Sequence, residues 1–265
     1  MMSTIDTIIQ RINESFFACW LDFGRLPFAK IIQSDAAVML LTGLREPLLN
    51  AVIFSQFAPE SAVEEAKQRL SVFRDAGLPF SWYVGPYSTP PNFDRYLLSE
   101  GLTFSDRSIG MALRLGTIRK ILSATIPIQI EVVESSSHLR TWSRIFMEGY
   151  GASEAFSGAM LELYLMEDNS EIGGIHYWAW SGGLPVATLT LVIGNEGIAS
   201  IYDVATIPTH RRQGIGRAIV QRALKDATEL GCELAVLQST MDGYSLYSSL
   251  GFTSYCHYDC YTSMP

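Results

Sequence analysis

Residues 201–216, IYDVATIPTHRRQGIG, followed directly by RAIVQRALKDATELG, decide the fold of this chain. An apolar strand runs into a turn that contains Pro208, then into two arginines and two glycines, and an amphipathic helix follows. Glycines let the backbone approach a ligand closely, and the first N–H groups of a helix lack partners within the helix. This order of elements favours the binding of a polyanion.

Other phosphate-binding motifs do not fit this loop. A dinucleotide fingerprint requires a third glycine where Ile219 stands, and the lysine of a P-loop is missing after the glycines. The helix itself is well supported, because apolar residues recur at i+4 spacing before Gly231 ends it. These residues are Ile215, Ile219, Ala223 and Ala227, with Leu230 predicted to close the stripe.

A second motif follows in the next elements. Residues 233–239, ELAVLQS, predict a buried strand, and a helix that carries Tyr247 then ends at Leu250-Gly251-Phe252. The loop Arg211-Arg212-Gln213-Gly214-Ile215-Gly216 and the Tyr-x-x-x-Gly-Phe element resemble the two hallmarks of the GNAT superfamily of N-acetyltransferases. That family's loop reads Arg/Gln-x-x-Gly-x-Gly/Ala and binds acyl-CoA. The resemblance covers at least residues 197–255.

The elements upstream agree with this resemblance. Residues 176–181, 185–193 and 197–206 predict three strands joined by short, hairpin-like links. A first strand at 129–133 and helices at 138–150 and 159–167 precede them. The resemblance implies an α+β (α/β) fold with a GNAT-like mixed, mostly antiparallel central sheet flanked by helices.

The N-terminal half looks like a degenerate copy of the C-terminal half. It predicts strands at 37–41, 51–57, 80–84 and 109–115 and helices at 60–76 and 92–100. The run LLSEGLTF at 97–104 parallels YSSLGFTS at 247–254, with Leu97 in the place of Tyr247. We therefore predict two tandem GNAT-like domains, a degenerate one at 1–120 and a catalytic one at 127–265. A linker around 116–127 separates them.

Composition indicates a cytoplasmic globular protein. The chain has 265 residues, 48% hydrophobic and 17% charged, with no apolar run long enough to span a bilayer. The first residues lack a basic targeting region and predict an amphipathic helix instead. Four scattered cysteines do not predict a disulfide framework. Cys256, His257 and Cys260 leave zinc as a minor alternative, and we expect no metal.

Charge is unevenly distributed. The net charge is −8, and all of it falls on the C-terminal half. An acidic surface disfavours nucleic acid and anionic membranes as partners. Four of the seven cations in this half nevertheless lie around the glycine loop, as a compact polyanion requires. They are Arg211, Arg212, Arg217 and Arg222.

The resemblance implies a set of acetyl-CoA contacts. The loop amides would cradle the pyrophosphate, and the exposed edge of the strand that ends at Thr206 would pair with the pantetheine amides. The implied cosubstrate-binding residues are Val204, Ala205, Thr206, Arg211, Arg212, Gln213, Gly214, Ile215, Gly216 and Arg217.

The resemblance also implies that Tyr247 is the general acid that protonates the leaving thiolate. A phenol of pKa about 10 is protonated at neutral pH. Tyr164 and Tyr255 remain alternatives. The general base is not identified, because Ser200 stands where many family members carry a glutamate, and strand alternation predicts that Asp203 points away from Tyr202.

Further residues have two interpretations. His176, Trp178 and Trp180 alternate along one strand face and either line the acceptor pocket or belong to the core.

The resemblance implies an acetyl-CoA-dependent N-acetyltransferase that acts on a primary amine of a small molecule or peptide. We expect a monomer or homodimer. The alternative is a non-catalytic acyl-CoA-binding or regulatory GNAT-like protein that kept the loop and lost the base.

Overall fold

The structure is a computed structural model that describes residues 4–117, 127–167 and 174–264. A central sheet runs through this part of the chain, with helices on both faces. The strands are β1 (Lys30–Gln33), β2 (Ala37–Leu41), β3 (Asn50–Ser55), β4 (Phe80–Val84), β5 (Thr103–Arg114), β6 (Gln129–Val132), β7 (Ile175–Ser181), β8 (Leu184–Ile193), β9 (Ile198–Thr206), β10 (Leu234–Ser239) and β11 (Thr253–Ser263). The helices are α1 (Thr4–Asp22), α2 (Ala62–Asp75), α3 (Asp94–Ser99), α4 (Ser136–Tyr150), α5 (Glu154–Glu167), α6 (Ile215–Glu229) and α7 (Tyr244–Leu250).

The two halves of the chain share one sheet by exchanging their last strands. The spatial order is β1-β2-β3-β4-β11-β5-β10-β9-β8-β7-β6. β11 pairs with β4 of the N-terminal half, and β5 pairs with β10 of the C-terminal half. β5 and β11 also pair with each other, antiparallel, from Ala112↔Thr253 to Thr103↔Thr262. Each half is therefore completed by a strand of the other.

The sheet is mostly antiparallel, with parallel pairing between β3 and β4 and between β9 and β10. These two pairs occupy the same place in each half, since both are joined through a helix, α2 or α6, and are followed by a short helix and a long last strand. Leu97 of α3 is fully buried where α7 carries Tyr247. The predicted mixed, mostly antiparallel sheet flanked by helices is confirmed, and the two halves repeat the same order of elements.

The helices divide between the two faces of the sheet. α1, α4 and α5 share a buried cluster on one face, called here the α1 face, to which Phe16 and Trp142 belong. α6 and α7 pack on the opposite face around Ile219 and Tyr247, and α2 and α3 extend that layer over the N-terminal half. Both faces of the central strands are thus removed from water, which is the main favourable term for folding.

Helix α6 follows its sequence pattern closely. Ile215, Ile219, Ala223 and Ala227 are all buried against the sheet. The helix ends because Gly231 adopts a left-handed conformation with φ of 83°, and Cys232 N–H bonds back to the Ala227 carbonyl. The expectation that Leu230 closes the apolar stripe is wrong, because Leu230 lies beyond the last helical turn and is 56% exposed.

The predicted division into domains at 1–120 and 127–265 remains a prediction, and residues 118–126 of the predicted linker lie outside the described part of the chain. The shared sheet bears on this division, because a fragment that ends at residue 120 lacks β11 and a fragment that begins at residue 127 lacks β5. Among the helices described, none is long and apolar enough to cross a membrane.

We predict that the two halves unfold together and that Gly110→Ala destabilises both. A Cβ on Gly110 of β5 would lie 2.5 Å from Sγ of Cys256 on β11 and 2.8 Å from Cγ2 of Ile12 on α1. Overpacking of this kind costs about 1–3 kcal/mol. The measurement is differential scanning calorimetry of the full chain.

Gly158→Ala is the matched control. A Cβ at Gly158 of α5 has nothing within 4 Å, and alanine is the better helix former. This variant should melt at or slightly above the wild-type temperature. Two resolved transitions, with one of them unmoved by Gly110→Ala, would contradict a cooperative shared sheet.

Candidate functional site

A cleft opens where two neighbouring parallel strands separate. β9 and β10 pair from Ile198↔Leu234 to Ser200↔Val236, and in the described part of the chain the ladder ends there. β9 continues to Thr206 with β8 on its other side, while β10 continues to Ser239 beside β5. The backbone of β9 beyond Ser200 therefore presents an edge to the cleft. The predicted contacts Val204, Ala205 and Thr206 all lie on this edge.

A bulge at Asp203 shapes the edge. The register against β8 shifts between Thr190↔Tyr202 and Thr188↔Ala205, and Asp203 has a left-handed φ of 55°. Thr188 Oγ1 donates to the carbonyl oxygen of Asp203 at 2.8 Å, which holds the bulge. Bulges of this kind re-aim side chains and end strand pairing.

The bulge makes the expectation from strand alternation wrong. Tyr202 bonds Ser15 of α1, and Asp203 accepts a hydrogen bond from Tyr164 of α5. Since α1 and α5 lie on the same face of the sheet, both side chains are directed to that face. The extra residue of the bulge removes the alternation that would have separated them.

The glycine loop, residues 211–216, joins the end of β9 to α6. Arg212 and Gly214 have positive φ values of 63° and 82°, and the first helical bond runs from Ala218 N–H to the Gly214 carbonyl. Gly214 is the N-cap and supplies no side-chain cap. The first-turn amides of Ile215, Gly216 and Arg217 are therefore offered to a ligand at the positive end of the helix dipole.

Arg211 has a structural role in the loop. Its Nε donates to the Thr206 carbonyl at 3.1 Å, and its Nη2 donates to the Gly149 carbonyl at 2.8 Å. Gly149 of α4 is packed so tightly that a Cβ would lie 3.0–3.1 Å from Thr206 and Ala205. Arg211 thus fastens the loop to the ends of β9 and α4.

The other polar side chains in and near the loop differ in their surroundings. Arg212 is exposed, and Gln213 donates to the Thr209 carbonyl at 3.4 Å. Arg217 donates to Ser249 Oγ at 2.8 Å, which links α6 to α7. Arg222 pairs with Asp226 at 2.9 Å and bonds the backbone of β6, so it does not belong to the loop's positive charge.

Tyr247 of α7 is buried in the apolar cluster that includes Ile219 and Phe252, with 8% of its surface exposed. Its ring packs edge-on against Phe252 at 5.8 Å, and Gly243 leaves it room, because a Cβ there would lie 3.1 Å from the ring. Burial raises the pKa of the Tyr247 hydroxyl, and the nearby Tyr150 raises it further. The phenol therefore stays protonated at neutral pH.

Asp203 is a half-buried carboxyl group in a polar network. Tyr164 donates to its Oδ2 at 2.5 Å, and His176 Nδ1 lies 2.9 Å from Thr190 Oγ1. Burial raises the pKa of Asp203 to about 6, while hydrogen bonds from Tyr164 and Thr190 oppose the shift. The group can therefore exchange a proton near neutral pH, as a general base must. Burial also lowers the pKa of His176 to about 4, so the imidazole is neutral.

The structure also gives the positions of the remaining candidates from the sequence. Tyr164 is bonded to Asp203, and Ser200 is buried at the point where the strands separate. His176 and Trp178 are buried and packed against aromatic rings of α4, so they belong to the core. Cys256 and His257 are neighbours on β11 and point to opposite faces, so they cannot share a zinc ion.

Three residues were missed by the sequence reasoning. Tyr164 was considered as an acid and not as a partner of Asp203, and neither Cys19 of α1 nor Tyr150 at the end of α4 was considered. Hydrogen bonds from Tyr202 and Gln238 to backbone carbonyls of α1 place this helix beside β9 and β10. The apolar spacing of α1 predicts a helix but does not indicate where that helix packs.

Comparison with solved structures supports the tandem fold over the whole chain. A GCN5-related N-acetyltransferase from Kribbella flavida is 18% identical, with a TM-score of 0.70, over 96% of this chain and 95% of that one. Another from Sphaerobacter thermophilus is 15% identical, with a TM-score of 0.66, over 87% and 81%. A tandem GNAT protein from the clavulanic acid biosynthesis pathway is 12% identical, with a TM-score of 0.59, over 99% and 96%.

The sequence also matches a family model. Residues 139–252 match the acetyltransferase (GNAT) family, a region that contains the cleft, the glycine loop and Tyr247. This match supports acyl transfer as the general reaction. Residues 139–252 therefore match a GNAT acetyltransferase domain, and the chain as a whole has a fold similar to that of tandem GNAT proteins.

Proposed function

We propose that this protein is an acetyl-CoA-dependent N-acetyltransferase that moves an acetyl group to a primary amine of a small molecule or peptide. The observation that carries the proposal is the glycine loop at the end of the open edge of β9. Residues 204–206 offer backbone groups to an extended amide chain, and the first turn of α6 offers N–H groups to phosphates. CoA contains both kinds of group at the two ends of one molecule.

Backbone groups and side chains have different roles in the proposed CoA site. The backbone of Val204, Ala205 and Thr206 pairs with the pantetheine arm. The amides from Arg212 to Arg217 bind the pyrophosphate, with the side chains of Arg212 and Gln213 at the rim. Arg211 keeps the loop in place through Gly149 and Thr206.

Tyr247 acts as the general acid. Its buried hydroxyl lies on α7, the helix that directly follows β10 in the chain. When the amine nitrogen forms its bond to the acetyl carbon and the carbon–sulfur bond breaks, the phenol gives its proton to the departing sulfur. A protonated phenol is the required form.

Asp203 acts as the general base, with Tyr164 as its positioning residue. The amine must lose a proton to attack, and Asp203 is a carboxylate on the cleft-side strand whose pKa is about 6. Tyr164 donates to Oδ2 and Thr190 also hydrogen-bonds the carboxylate, so the two side chains hold Asp203 in position. Asp203 thereby acts as the base in place of the glutamate that many family members carry where this chain has Ser200.

The alternative is a non-catalytic CoA-binding or regulatory protein. It would share the glycine loop and the open edge of β9 but release no thiol from acetyl-CoA with any amine. A thiol-release assay across a panel of amines separates the two functions. A cytoplasmic location, a monomer or homodimer, and independence of metal, nucleic acid and membrane remain part of this proposal.

We predict that CoA raises the melting temperature of the wild-type chain and that Gly214→Val removes the shift. A ligand that binds only the folded state at 100 times its Kd adds about 2.7 kcal/mol to the free energy of unfolding. The valine side chain would stand where phosphates approach. Thermal denaturation with and without CoA measures the effect.

Gly231→Val is the matched control at the other end of α6. Gly231 has almost the same φ, 83° against 82° for Gly214, so both substitutions introduce similar backbone strain. Only Gly214→Val should lose the CoA shift. A wild-type chain that is indifferent to millimolar CoA would contradict the donor site.

We predict that Tyr247→Phe lowers kcat by about 10²–10⁴-fold and leaves the Kd for CoA close to that of the wild type. The substitution removes the hydroxyl and keeps the ring that packs on Phe252. Steady-state kinetics and calorimetric CoA binding provide the two numbers. Tyr244→Phe, on an exposed position of the same helix, should leave both unchanged. Full turnover in Tyr247→Phe would remove the phenol from the mechanism.

We predict that kcat/KM falls as the pH drops through about 6, because Asp203 must be ionised to accept a proton. Asp203→Asn should remove this limb and lower kcat by about 10²-fold or more. Tyr164→Phe should move the limb to higher pH, since the Tyr164 hydrogen bond lowers the pKa of Asp203. The limb due to the acceptor amine itself is the same in all variants. If the acid limb of the kcat/KM profile is the same in both variants as in the wild type, a residue other than Asp203 is the base.

A further inference from the structure

The N-terminal half contains a second pair of parallel strands that separate. β3 and β4 pair at Ala51↔Ser81 and Val52↔Trp82, and in the part of the chain that the structure describes their ladder goes no further. This pair stands in the same place as β9 and β10, whose separation opens the cleft of the C-terminal half. The edge of β3 beyond Val52 is therefore the counterpart of the open edge of β9.

The connection that follows β4 is longer than the one that follows β10. Nine residues, 85–93, join β4 to α3, while four residues, 240–243, join β10 to α7. Residues 85–93, called here the β4–α3 segment, have the sequence GPYSTPPNF. This segment turns back to β3, where Gln56 and Thr89 form an isolated parallel bridge.

Thr89 of the β4–α3 segment satisfies the backbone groups at the edge of β3. Its N–H donates to the Ser55 carbonyl oxygen at 3.2 Å, and its carbonyl oxygen accepts from the Phe57 N–H at 3.2 Å. Its Oγ1 donates to the Phe57 carbonyl oxygen at 3.0 Å. In addition, Gln56 Nε2 donates to the Tyr87 carbonyl oxygen at 3.2 Å. The segment thus pairs with β3 as a neighbouring strand would.

Side chains fill the rest of the gap between β3 and β4. Trp82 Nε1 of β4 donates to Ser55 Oγ of β3 at 3.2 Å. The rings of Phe57, Trp82 and Phe93 pack on one another with centroids 5.7–6.2 Å apart, and all three are buried. Val204, on the edge of β9, is only half-buried. The gap in the N-terminal half is therefore closed by the chain itself.

Charge at the start of α2 disfavours a phosphate group. Glu64 and Glu65 lie in the first turn of this helix, whereas the first turn of α6 contains Arg217. Carboxylates in a first turn interact with the positive end of the helix dipole, which is where an anionic ligand would bind. The N-terminal half thus disfavours both the amide arm and the phosphates of CoA.

We propose that the β4–α3 segment takes the place of the pantetheine arm in the N-terminal half, so that each chain binds one CoA, along β9. This inference rests on the proposed function, because the pairing of CoA with β9 is its reference. The edge of β3 then has its hydrogen-bonding partner at all times, whereas the edge of β9 gains one when CoA binds.

Amide hydrogen exchange of the full chain, followed by NMR with and without CoA, tests the proposal. The N–H groups of Phe57 and Thr89 report on the closed edge of β3. The Gln56 N–H, which donates to the Ala36 carbonyl oxygen at 2.7 Å, is the internal reference. We expect Phe57 and Thr89 to exchange slowly without CoA and at the same rates with it. Residues 204–206 should gain protection when CoA binds, and calorimetry should give one CoA per chain.

Thr89→Val and Thr103→Val form a matched pair of variants. Each removes one hydrogen bond from a threonine Oγ1 to a backbone carbonyl, that of Phe57 in the first variant and that of Thr262 in the second. Thr89→Val should make the Phe57 N–H exchange about 2–10-fold faster, as expected for the loss of one neutral hydrogen bond. Thr103→Val, between β5 and β11, should leave the exchange of Phe57 unchanged.

The failures of the two proposals are distinguishable. Fast exchange of Phe57 and Thr89 without CoA, or equal exchange of Phe57 in the two variants, overturns the closed edge of β3. Protection of these two amides by CoA, or two CoA molecules per chain, also overturns it and keeps CoA binding. Slow exchange of both amides in a chain that binds no CoA keeps the closed edge and overturns the CoA site at β9.

Discussion

The separation of β9 from β10 after Ser200 and Val236 is the constraint on which the rest of the site depends. Two parallel strands that separate within a sheet leave backbone groups without partners, and such groups are costly unless a ligand or water satisfies them. The bulge at Asp203 turns β9 away, and the bonds from α1 to Tyr202 and Gln238 hold the two strands in their separated positions. The open edge is therefore a built feature of the fold.

Strand exchange explains how the open cleft remains rigid. β10 has lost β9 as a partner over its last residues, but β5 from the other half pairs with it as far as Ser239. β11 then links β5 to β4. The half that lacks a glycine loop thus supplies both the strand that supports one side of the cleft and the helix that spans it. The N-terminal half therefore supports the cleft without making any CoA contact of its own.

Local sequence patterns predicted the helices and strands better than they predicted which of these elements pair or pack together. The predicted strands at 37–41 and 80–84 match β2 and β4 to the residue, and the i+4 stripe of α6 is buried as expected. β5 begins at Thr103 instead of Ile109, because its polar first residues pair with β11, far away in the sequence. The glycine loop and Tyr247 were recognisable from their motifs. The partnership of Asp203 with Tyr164, and the place of Cys19, depend on a bulge and on helix packing that one sequence does not reveal.

The polar network around Asp203 makes the stability of the fold depend on pH. The pKa of Asp203 is about 6 in the folded state and 3.8 in its unperturbed state, so its buried charge destabilises the fold above pH 6, and this cost disappears as the pH falls towards 4. His176 has the opposite effect, because its pKa falls from 6.5 to about 4, and the fold loses stability as the pH drops through that range. The two shifts are similar in size and cover nearly the same pH window. The imidazole and the carboxyl group therefore have opposite effects on stability between about pH 4 and 6, and Thr190 hydrogen-bonds both groups.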